Sequence, residues 1–375
     1  MAKTRFPQID GYYQGLGICF ILGLALVGAT HASSLASEVF SPPKAYVGRL
    51  DPATGNIYTF TLPAGSGPTG VDVYSGTTNI EVWFTETSVD RIGRLTYTST
   101  AECNLKEYPL SPGSAPLNIA ISRDSKYVFF TEQNGNKIGR LTRASPAESL
   151  VEFPIPTANS MPTDLDIAPN GNIWFTEKAV DKLGRLSITD YTFTEYEVFP
   201  GSKPHGIAAP LNGAVWFAEI ATNRASLFEL YPQGNILVRI SPCAPYDCTD
   251  GNRCLHDVAV LPGSSNVCWL TAMCKNRLVG ISLGTLSIAR ECTPTVGTVP
   301  FDLAMDKSGR YIWFTAWGSG HIGRLERLSP NCSFTEYFIA ENAGPRGIAL
   351  DPNGVVWFTC SERLSTYLPI IMKNY

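Results

Sequence analysis

The sequence contains few charged residues and few histidines, and it has no run of lysine or arginine. Only 17% of its 375 residues are charged, the formal net charge is -4, and there are four histidines. Proteins that bind nucleic acid carry a basic patch that neutralises the phosphate backbone. The composition therefore argues against nucleic acid as a partner.

Long apolar segments are also missing after the first forty residues. The one candidate, Leu16 to Ala29, follows Lys3 and Arg5 and precedes a stretch of small residues. A basic start, a short apolar core and a small-residue end are typical of a secretory signal peptide. We predict a signal peptide over residues 1–36, cleaved after Ala32 or Ala36, and a secreted protein without a membrane association after cleavage. An uncleaved anchor is the alternative, although the apolar run is short for one.

Export makes the cysteines informative, because thiols pair in an oxidising compartment. Cys19 leaves with the signal peptide, and of the nine that remain, five lie in one segment and are the disulfide candidates: Cys243, Cys248, Cys254, Cys268 and Cys274. The odd number leaves at least one thiol free or intermolecular. Zinc binding is the alternative, but the spacing lacks paired CxxC motifs. Asn331 begins an Asn-Cys-Ser sequon, which predicts glycosylation in a eukaryotic host.

What the sequence does contain is a repeat of about 45 residues. An aromatic pair recurs at Trp83, Phe129, Trp174, Trp216, Trp269, Trp313 and Trp357. A Gly-Arg-Leu-like marker begins at Gly48, Gly93, Gly139, Gly184, Ala225, Gly280 and Gly323. A Pro-x-Gly/Asp-Ile/Leu-Ala-like marker begins at Pro68, Pro116, Pro162, Pro204, Leu255, Pro300 and Pro345. Each unit has the length and turn spacing of four short strands, which is the pattern of a β-propeller blade.

The two ends of the repeat predict how many blades there are. Residues 46–62 match only the last two strands of a unit, and residues 345–359 match only the first two. Together they complete one blade and close the ring, which removes exposed sheet edges. We predict an all-β, seven-bladed β-propeller over residues 46–360, with a C-terminal tail over residues 361–375.

In a propeller, the first strand of each blade lines the central channel, so the starts of seven such strands converge on one face as a funnel. The residue after each Pro-like marker, here called the first axial position, is Thr69, Leu117, Thr163, His205, His256, Phe301 or Arg346. The second axial position follows it, and is Gly70, Asn118, Asp164, Gly206, Asp257, Asp302 or Gly347.

Residues at these axial positions are the candidates for binding and chemistry. His205 and His256 occupy equivalent positions of adjacent blades, and neutral imidazole is suited to proton transfer, so they are the catalytic candidates. Asp164 and Arg346 are candidates for binding the substrate. The alternative for each aspartate is a turn cap, and for Arg346 an ion pair with one of them.

A second set of repeated charges has a structural interpretation. Glu86, Glu132, Glu177 and Glu219 each end a WFTE-like strand. We expect them to accept hydrogen bonds between blades from the repeated arginines, which are Arg94, Arg140 and Arg185.

The segments IWFTEKAVDKLGRL, HGIAAPLNGAVWFAE and TAWGSGHIGRLERL resemble the repeat of the virginiamycin B lyases, which are seven-bladed propellers, over residues 46 to 359. The resemblance implies elimination at a cyclic depsipeptide ester, with a histidine base and a magnesium ion. The family's Pro-His-Gly-Ile motif is matched at Pro204 to Ile207, whereas the second motif keeps only His256. Its metal-binding glutamates fall on Cys254 and near Met273.

The resemblance also assigns the remaining site residues. The family's substrate-side tyrosine falls near Phe301, which becomes a substrate-binding candidate. Asp257 and Asp302, beside His256, are the compensating candidates for a magnesium site. The expected function is a monomeric propeller that binds a small molecule or a protein partner at its funnel. The alternatives are a magnesium-dependent carbon–oxygen lyase with His205 as base, and a calcium-propeller-type lactonase, whose ligand set is not recognisable.

Overall fold

The computed structural model describes residues 45–98, 103–211, 213–230, 235–240, 255–261, 267–282, 284–285, 287–295 and 297–362. The predicted signal peptide, three of the cysteine candidates (Cys243, Cys248 and Cys254) and residues 363–375 of the predicted tail lie outside these ranges. Within them, no helix is long and apolar enough to cross a membrane.

The described chain forms seven antiparallel sheets of four strands each, so the predicted seven-bladed propeller is confirmed. Blade 1 contains β3 (Pro68–Ser75), β4 (Asn79–Glu86), β5 (Arg91–Thr98) and β6 (Cys103–Pro109). Blade 2 contains β7 (Pro116–Ile121), β8 (Tyr127–Glu132), β9 (Lys137–Thr142) and β10 (Val151–Pro154). Blade 3 contains β11 (Pro162–Ile167), β12 (Ile173–Glu177), β13 (Lys182–Leu186) and β14 (Phe193–Glu197).

The remaining blades repeat this order. Blade 4 contains β15 (Pro204–Leu211), β16 (Ala214–Glu219), β17 (Arg224–Glu229) and β18 (Ile236–Ile240). Blade 5 contains β19 (Leu255–Val260), β20 (Val267–Ala272), β21 (Arg277–Ser282) and β22 (Ser287–Cys292). Blade 6 contains β23 (Pro300–Met305), β24 (Tyr311–Ala316), β25 (His321–Glu326) and β26 (Phe334–Phe338). Within the described residues, three single-turn 3₁₀ helices connect strands: Thr87–Val89, Pro146–Glu148 and Met273–Lys275.

Blade 7 joins the two ends of the repeat, as predicted. It contains β27 (Ala343–Leu350), β28 (Val356–Glu362), β1 (Ala45–Leu50) and β2 (Ile57–Thr61), in that order. β1 and β28 are antiparallel and place Gly48 opposite Phe358. The ring therefore closes through backbone hydrogen bonds between strands near its two ends.

The aromatic pair of each second strand supplies the core between blades. Trp83 and Phe84 are completely buried, as are the equivalent pairs around the ring. The glycine of the third strand lies against this ring, since a Cβ on Gly93 would overlap the Phe84 side chain. In blades 4 and 5 the strand register places Ser226 and Val279 at this position. The sequence analysis therefore placed this marker one residue too early in blade 4, at Ala225, and one residue too late in blade 5, at Gly280.

The repeated arginines do not bind the repeated glutamates, so that prediction was wrong. Arg94 stacks on Trp83, with its guanidinium carbon 5.3 Å from the ring centroid, and Arg140 lies 4.5 Å from the Tyr127 ring. The third strand directs the arginine onto the aromatic faces of its own blade, where a cation–π contact holds it. Glu177, by contrast, is completely buried at the end of β12.

Candidate functional site

The starts of the inner strands surround a cavity of about 230 Å³ at the centre of one face, here called the funnel. All seven predicted site residues from the axial positions line it: Asp164, His205, His256, Asp257, Phe301, Asp302 and Arg346. The sequence therefore predicted which side chains meet. Their proximity is a property of the structure, and their roles remain predictions.

A threonine on the second strand of six blades positions the axial residues. Thr131, for example, accepts a hydrogen bond from the amide of Asn118 at 3.0 Å and donates one to the carbonyl of Thr163 in the next blade at 3.1 Å. The same arrangement occurs at Thr85, Thr176, Thr271, Thr315 and Thr359. This hydroxyl satisfies the amide that the inner-strand bulge leaves outside the ladder.

Blade 4 departs from this rule, because Ala218 stands where the other blades have threonine. The carbonyl oxygen that such a hydroxyl would reach belongs to His256. Nδ1 of His205 lies 3.2 Å from this oxygen instead. The blade that lacks the hydroxyl is thus the one that carries His205.

Both axial histidines are held in one tautomer by the next blade. Nδ1 of His205 faces the His256 carbonyl, and Nδ1 of His256 lies 3.1 Å from the Phe301 carbonyl. A carbonyl oxygen only accepts hydrogen bonds, so each Nδ1 carries the proton and each Nε2 keeps a lone pair. The rings are close, with centroids 4.2 Å apart for the two histidines and 3.8 Å apart for His256 and Phe301.

The funnel keeps these imidazoles neutral. Burial lowers the pKa of His205 well below its usual range, with further contributions from His256 and Lys178. Burial lowers the pKa of His256 to about 3, and the cations of Lys178 and Arg346 add to this effect. Both rings are therefore uncharged at neutral pH, which is the form that can accept a proton.

The three funnel aspartates tie each blade to the next. Asp164 accepts a hydrogen bond from the amide of Ile207 at 2.7 Å. Asp257 accepts one from Leu303, and Asp302 one from Ile348, both at 2.8 Å. Asp164 also binds the side-chain amide of Asn118. The structural role of these residues is therefore a link between blades rather than the turn cap considered from the sequence.

Burial raises the pKa of all three carboxyl groups, and their mutual repulsion adds to the effect for Asp164 and Asp302. The carboxyl groups of Asp257 and Asp302 are close enough for each to shift the pKa of the other.

The described residues do not fit the predicted magnesium site. One oxygen each of Asp257 and Asp302 accepts a hydrogen bond from a backbone amide of the next blade. Among the described residues, no three side chains of histidine, cysteine, aspartate or glutamate are grouped to hold a metal. Met273 offers a thioether, whereas magnesium takes oxygen ligands.

Two funnel residues were missed by the sequence analysis. Lys178 and Gln133 line the cavity, each immediately after the glutamate that ends a second strand. Second strands run antiparallel to the inner strands, so their ends lie on the funnel face. The position directly after each WFTE-like strand would therefore have identified Lys178 and Gln133 from the sequence.

The cysteines that the structure describes are arranged differently from the prediction. Cys268 is a completely buried free thiol in β20, and Cys274 is half-buried. A disulfide joins Cys292 of β22 to Cys332, which precedes β26 in the next blade. Asn331, the predicted glycosylation site, is exposed beside this disulfide.

Comparison with known proteins agrees with this architecture. The sequence model of the virginiamycin B lyase family matches residues 41–237, more than half of the chain. This chain belongs to the virginiamycin B lyase family. The match includes His205 and ends before His256. No curated protein matches the chain.

Solved structures extend the likeness to most of the chain. A structure of a streptogramin B lyase is 26% identical, with a TM-score of 0.64, and covers 86% of this chain and 100% of its own. The virginiamycin B lyase of Staphylococcus aureus is also 26% identical, with a TM-score of 0.63, covering 80% of this chain and 96% of its own. A catalytically inactive variant of that enzyme with quinupristin is 24% identical, with a TM-score of 0.62, covering 84% and 98%, and shows the shared fold.

Proposed function

We propose that this member of the virginiamycin B lyase family binds a small organic molecule in its funnel. The observation that supports this most is the pair of neutral imidazoles, each held through Nδ1 so that Nε2 remains an acceptor. A concave site with a few oriented polar groups and an aromatic wall is the usual form of a ligand pocket. Phe301, whose ring is tilted against that of His256 with the centroids 3.8 Å apart, supplies that wall.

A second candidate is ring opening by elimination, which the state of His205 favours. A neutral imidazole with a free Nε2 lone pair can remove the proton from the carbon next to a carbonyl group. The electron pair of that C–H bond forms a double bond to the neighbouring carbon, whose bond to the ester oxygen breaks. A carboxylate leaves, and no water is consumed. This step uses only His205, since the described residues do not fit a magnesium ion.

Quinupristin is a suitable probe, because a related lyase was solved with it. We expect calorimetric titration of quinupristin into the wild-type protein to show binding, weakened at least tenfold in His205→Gln and in His256→Gln. His321→Gln is the matched control, since His321 binds Ser319 outside the funnel. Absence of binding to the wild-type protein, or equal affinity in all variants, would contradict the proposal.

Mass spectrometry of the same mixtures separates the chemical alternatives. Elimination gives a linear product of unchanged mass with a new double bond, whereas hydrolysis by a lactonase adds the mass of water. Intact quinupristin after prolonged incubation, together with binding, supports the ligand-binding function. A linear product lost in His205→Gln supports the lyase, and a hydrated product would overturn it.

We also propose that the protein is secreted. The support is the order of basic, apolar and small residues before residue 37. N-terminal sequencing of the protein released from expressing cells is expected to begin at Ser33 or Ser37. Recovery of the chain with its original terminus in the membrane fraction would instead favour an uncleaved anchor.

A further inference from the structure

Four buried oxygen atoms of the first blade have no hydrogen-bond partner among the described residues. They are both carboxylate oxygens of Glu86, Oε1 of Glu107 and the hydroxyl of Ser66. Glu86 and Ser66 are almost completely shielded from solvent, with 0% and 1% of their surface exposed. A buried polar atom without a partner is costly, because it loses its hydration and gains nothing in exchange. These oxygens are therefore candidates for binding a ligand.

The fold brings the three side chains together at the end of β4. Glu86 lies directly opposite Arg91 in the strand register, and Nη1 of Arg91 binds Oε2 of Glu107 at 2.7 Å. Ser66, in the loop between β2 and β3, accepts a backbone hydrogen bond from Ser88 in the turn after β4 at 3.2 Å. Burial raises the pKa of Glu86, Glu107 adds to this effect, and Arg91 and Ser66 oppose it. All three residues therefore adjoin the Glu86 carboxyl group.

The charges and oxygens of this group suit a cation. One guanidinium, that of Arg91, pairs with one oxygen of Glu107, so two carboxyl groups share it. The remaining oxygens adjoin one another but form no hydrogen bonds with each other, which is how ligands are arranged around an ion. The side chain of Glu107 is 23% exposed, and it gives an ion access from solvent.

The equivalent position of blade 2 differs in the neighbours of its glutamate. Glu132 is also buried without a hydrogen-bond partner. The serine beside it, Ser114, donates its hydroxyl hydrogen bond to the carbonyl of Ser111 at 2.7 Å. Glu152 uses both oxygens, one for Lys137 and one for the Ser111 hydroxyl. Blade 2 therefore leaves only the two oxygens of Glu132 without a partner, whereas blade 1 leaves four.

We propose that Glu86, Glu107 and Ser66 bind a calcium ion where the chain passes from blade 7 into blade 1. Carboxylate and hydroxyl oxygens are ligands for hard cations, and calcium takes six to eight of them in irregular geometry. Since the protein supplies two carboxylates and one hydroxyl here, water completes the shell. A site with so few charged ligands belongs to the weak class, with a dissociation constant of about 1 mM.

This inference does not depend on the function proposed for the funnel. The side chains that line the funnel belong to the inner strands and to the residues directly after β8 and β12, and they do not include Glu86, Glu107 or Ser66. The calcium ion would have no part in the chemistry of His205. Its effect is to join the loop before β3 to the outer strand β6, and so to stabilise the ring beside its closing blade.

The test measures calcium binding to the full chain after metal removal. We expect equilibrium dialysis with radiolabelled calcium to show one bound ion per chain. Calcium chloride at about ten times the dissociation constant should raise the Tm above that in sodium chloride of equal ionic strength. Both effects should be lost in Glu86→Gln and weakened in Ser66→Ala. Glu132→Gln is the matched control and should keep both, because it changes the equivalent buried glutamate of blade 2.

Several results would overturn the proposal. The first is the absence of bound calcium in the wild-type protein, and the second is equal binding by the wild-type protein and Glu86→Gln. Loss of binding in Glu132→Gln as well would show a general effect of changing a buried glutamate. Tighter binding of magnesium than of calcium would contradict the choice of ion. If Glu86→Gln does not fold, Ser66→Ala and Glu107→Gln decide, and unchanged calcium affinity in both would overturn the site.

Discussion

Nδ1 of His205 donates a hydrogen bond to the carbonyl oxygen of His256 in blade 4, where Ala218 replaces the bridging threonine. In the other six blades a threonine hydroxyl occupies this place and also accepts from the second axial amide. The carbonyl oxygen of Phe301, by comparison, accepts hydrogen bonds from both Thr271 and His256. Ala218 thus leaves the His256 carbonyl to His205 and removes the hydroxyl acceptor for the amide of Gly206.

The first prediction restores that hydroxyl. In Ala218→Thr the new Oγ1 can accept from the Gly206 amide and donate to the His256 carbonyl, as in the other blades. Ala218→Val introduces a side chain of the same shape as threonine without the hydroxyl, so it offers the Gly206 amide no acceptor. We expect the threonine variant to be more stable than the valine variant by about 1–3 kcal/mol in urea unfolding. Equal free energies of unfolding would show that the hydroxyl has no role here.

The second prediction concerns the charge of the histidines. Because burial lowers the pKa of both, with that of His256 at about 3, we expect both rings to stay neutral from about pH 8 to about pH 5. Nitrogen-15 NMR should show a protonated Nδ1 and an unprotonated Nε2 throughout. His205→Gln and His256→Gln assign the signals, and a midpoint near the usual histidine pKa would contradict the prediction.

The repeat made the fold and the position of the funnel predictable. The spacing from Trp83 to Trp357 reports the blade period, and the half-units at the two ends report closure. Equivalent positions in a closed ring must face the same axis, so the meeting of His205, His256 and Asp257 followed from their place in the repeat. Each of these inferences depends only on the positions of the repeat markers along the chain, and these positions can be read directly from the sequence.

Partners across blades were not predictable in the same way. Arg94 has a glutamate nearby in the repeat, yet its side chain lies on Trp83 because the register and twist of the sheet direct it there. The roles of Asp257 and Asp302 depend on which backbone amide of the next blade comes within 2.8 Å. The spacing of the repeat does not determine the rotation between neighbouring blades, and it does not determine the hydrogen-bond partner of a side chain.

The third prediction uses a carboxyl group buried beneath the funnel face. Burial raises the pKa of Glu177 from 4.5 to about 8, so the folded state binds this proton more tightly than the unfolded state. Stability from this group is then lost as pH rises between these values, at about 1.4 kcal/mol per pH unit. We expect Glu177→Gln to reduce the slope of stability against pH by this amount, relative to the wild-type protein, in urea unfolding at a series of pH values. The exposed Glu197 gives the control Glu197→Gln, and a slope in Glu177→Gln equal to that of the wild-type protein would contradict the assignment.

The fourth prediction concerns the disulfide between blades 5 and 6. Cys292 and Cys332 are separated by 40 residues, and their Cα atoms are 5.6 Å apart. In the chain-entropy model, closing a loop of this length stabilises the fold by about 4 kcal/mol. Cys292→Ala, Cys332→Ala and the double variant should therefore lose similar stability, because each removes the same bond. Additive losses in the two single variants would show that the thiols contribute separately through packing and that the bond does not form.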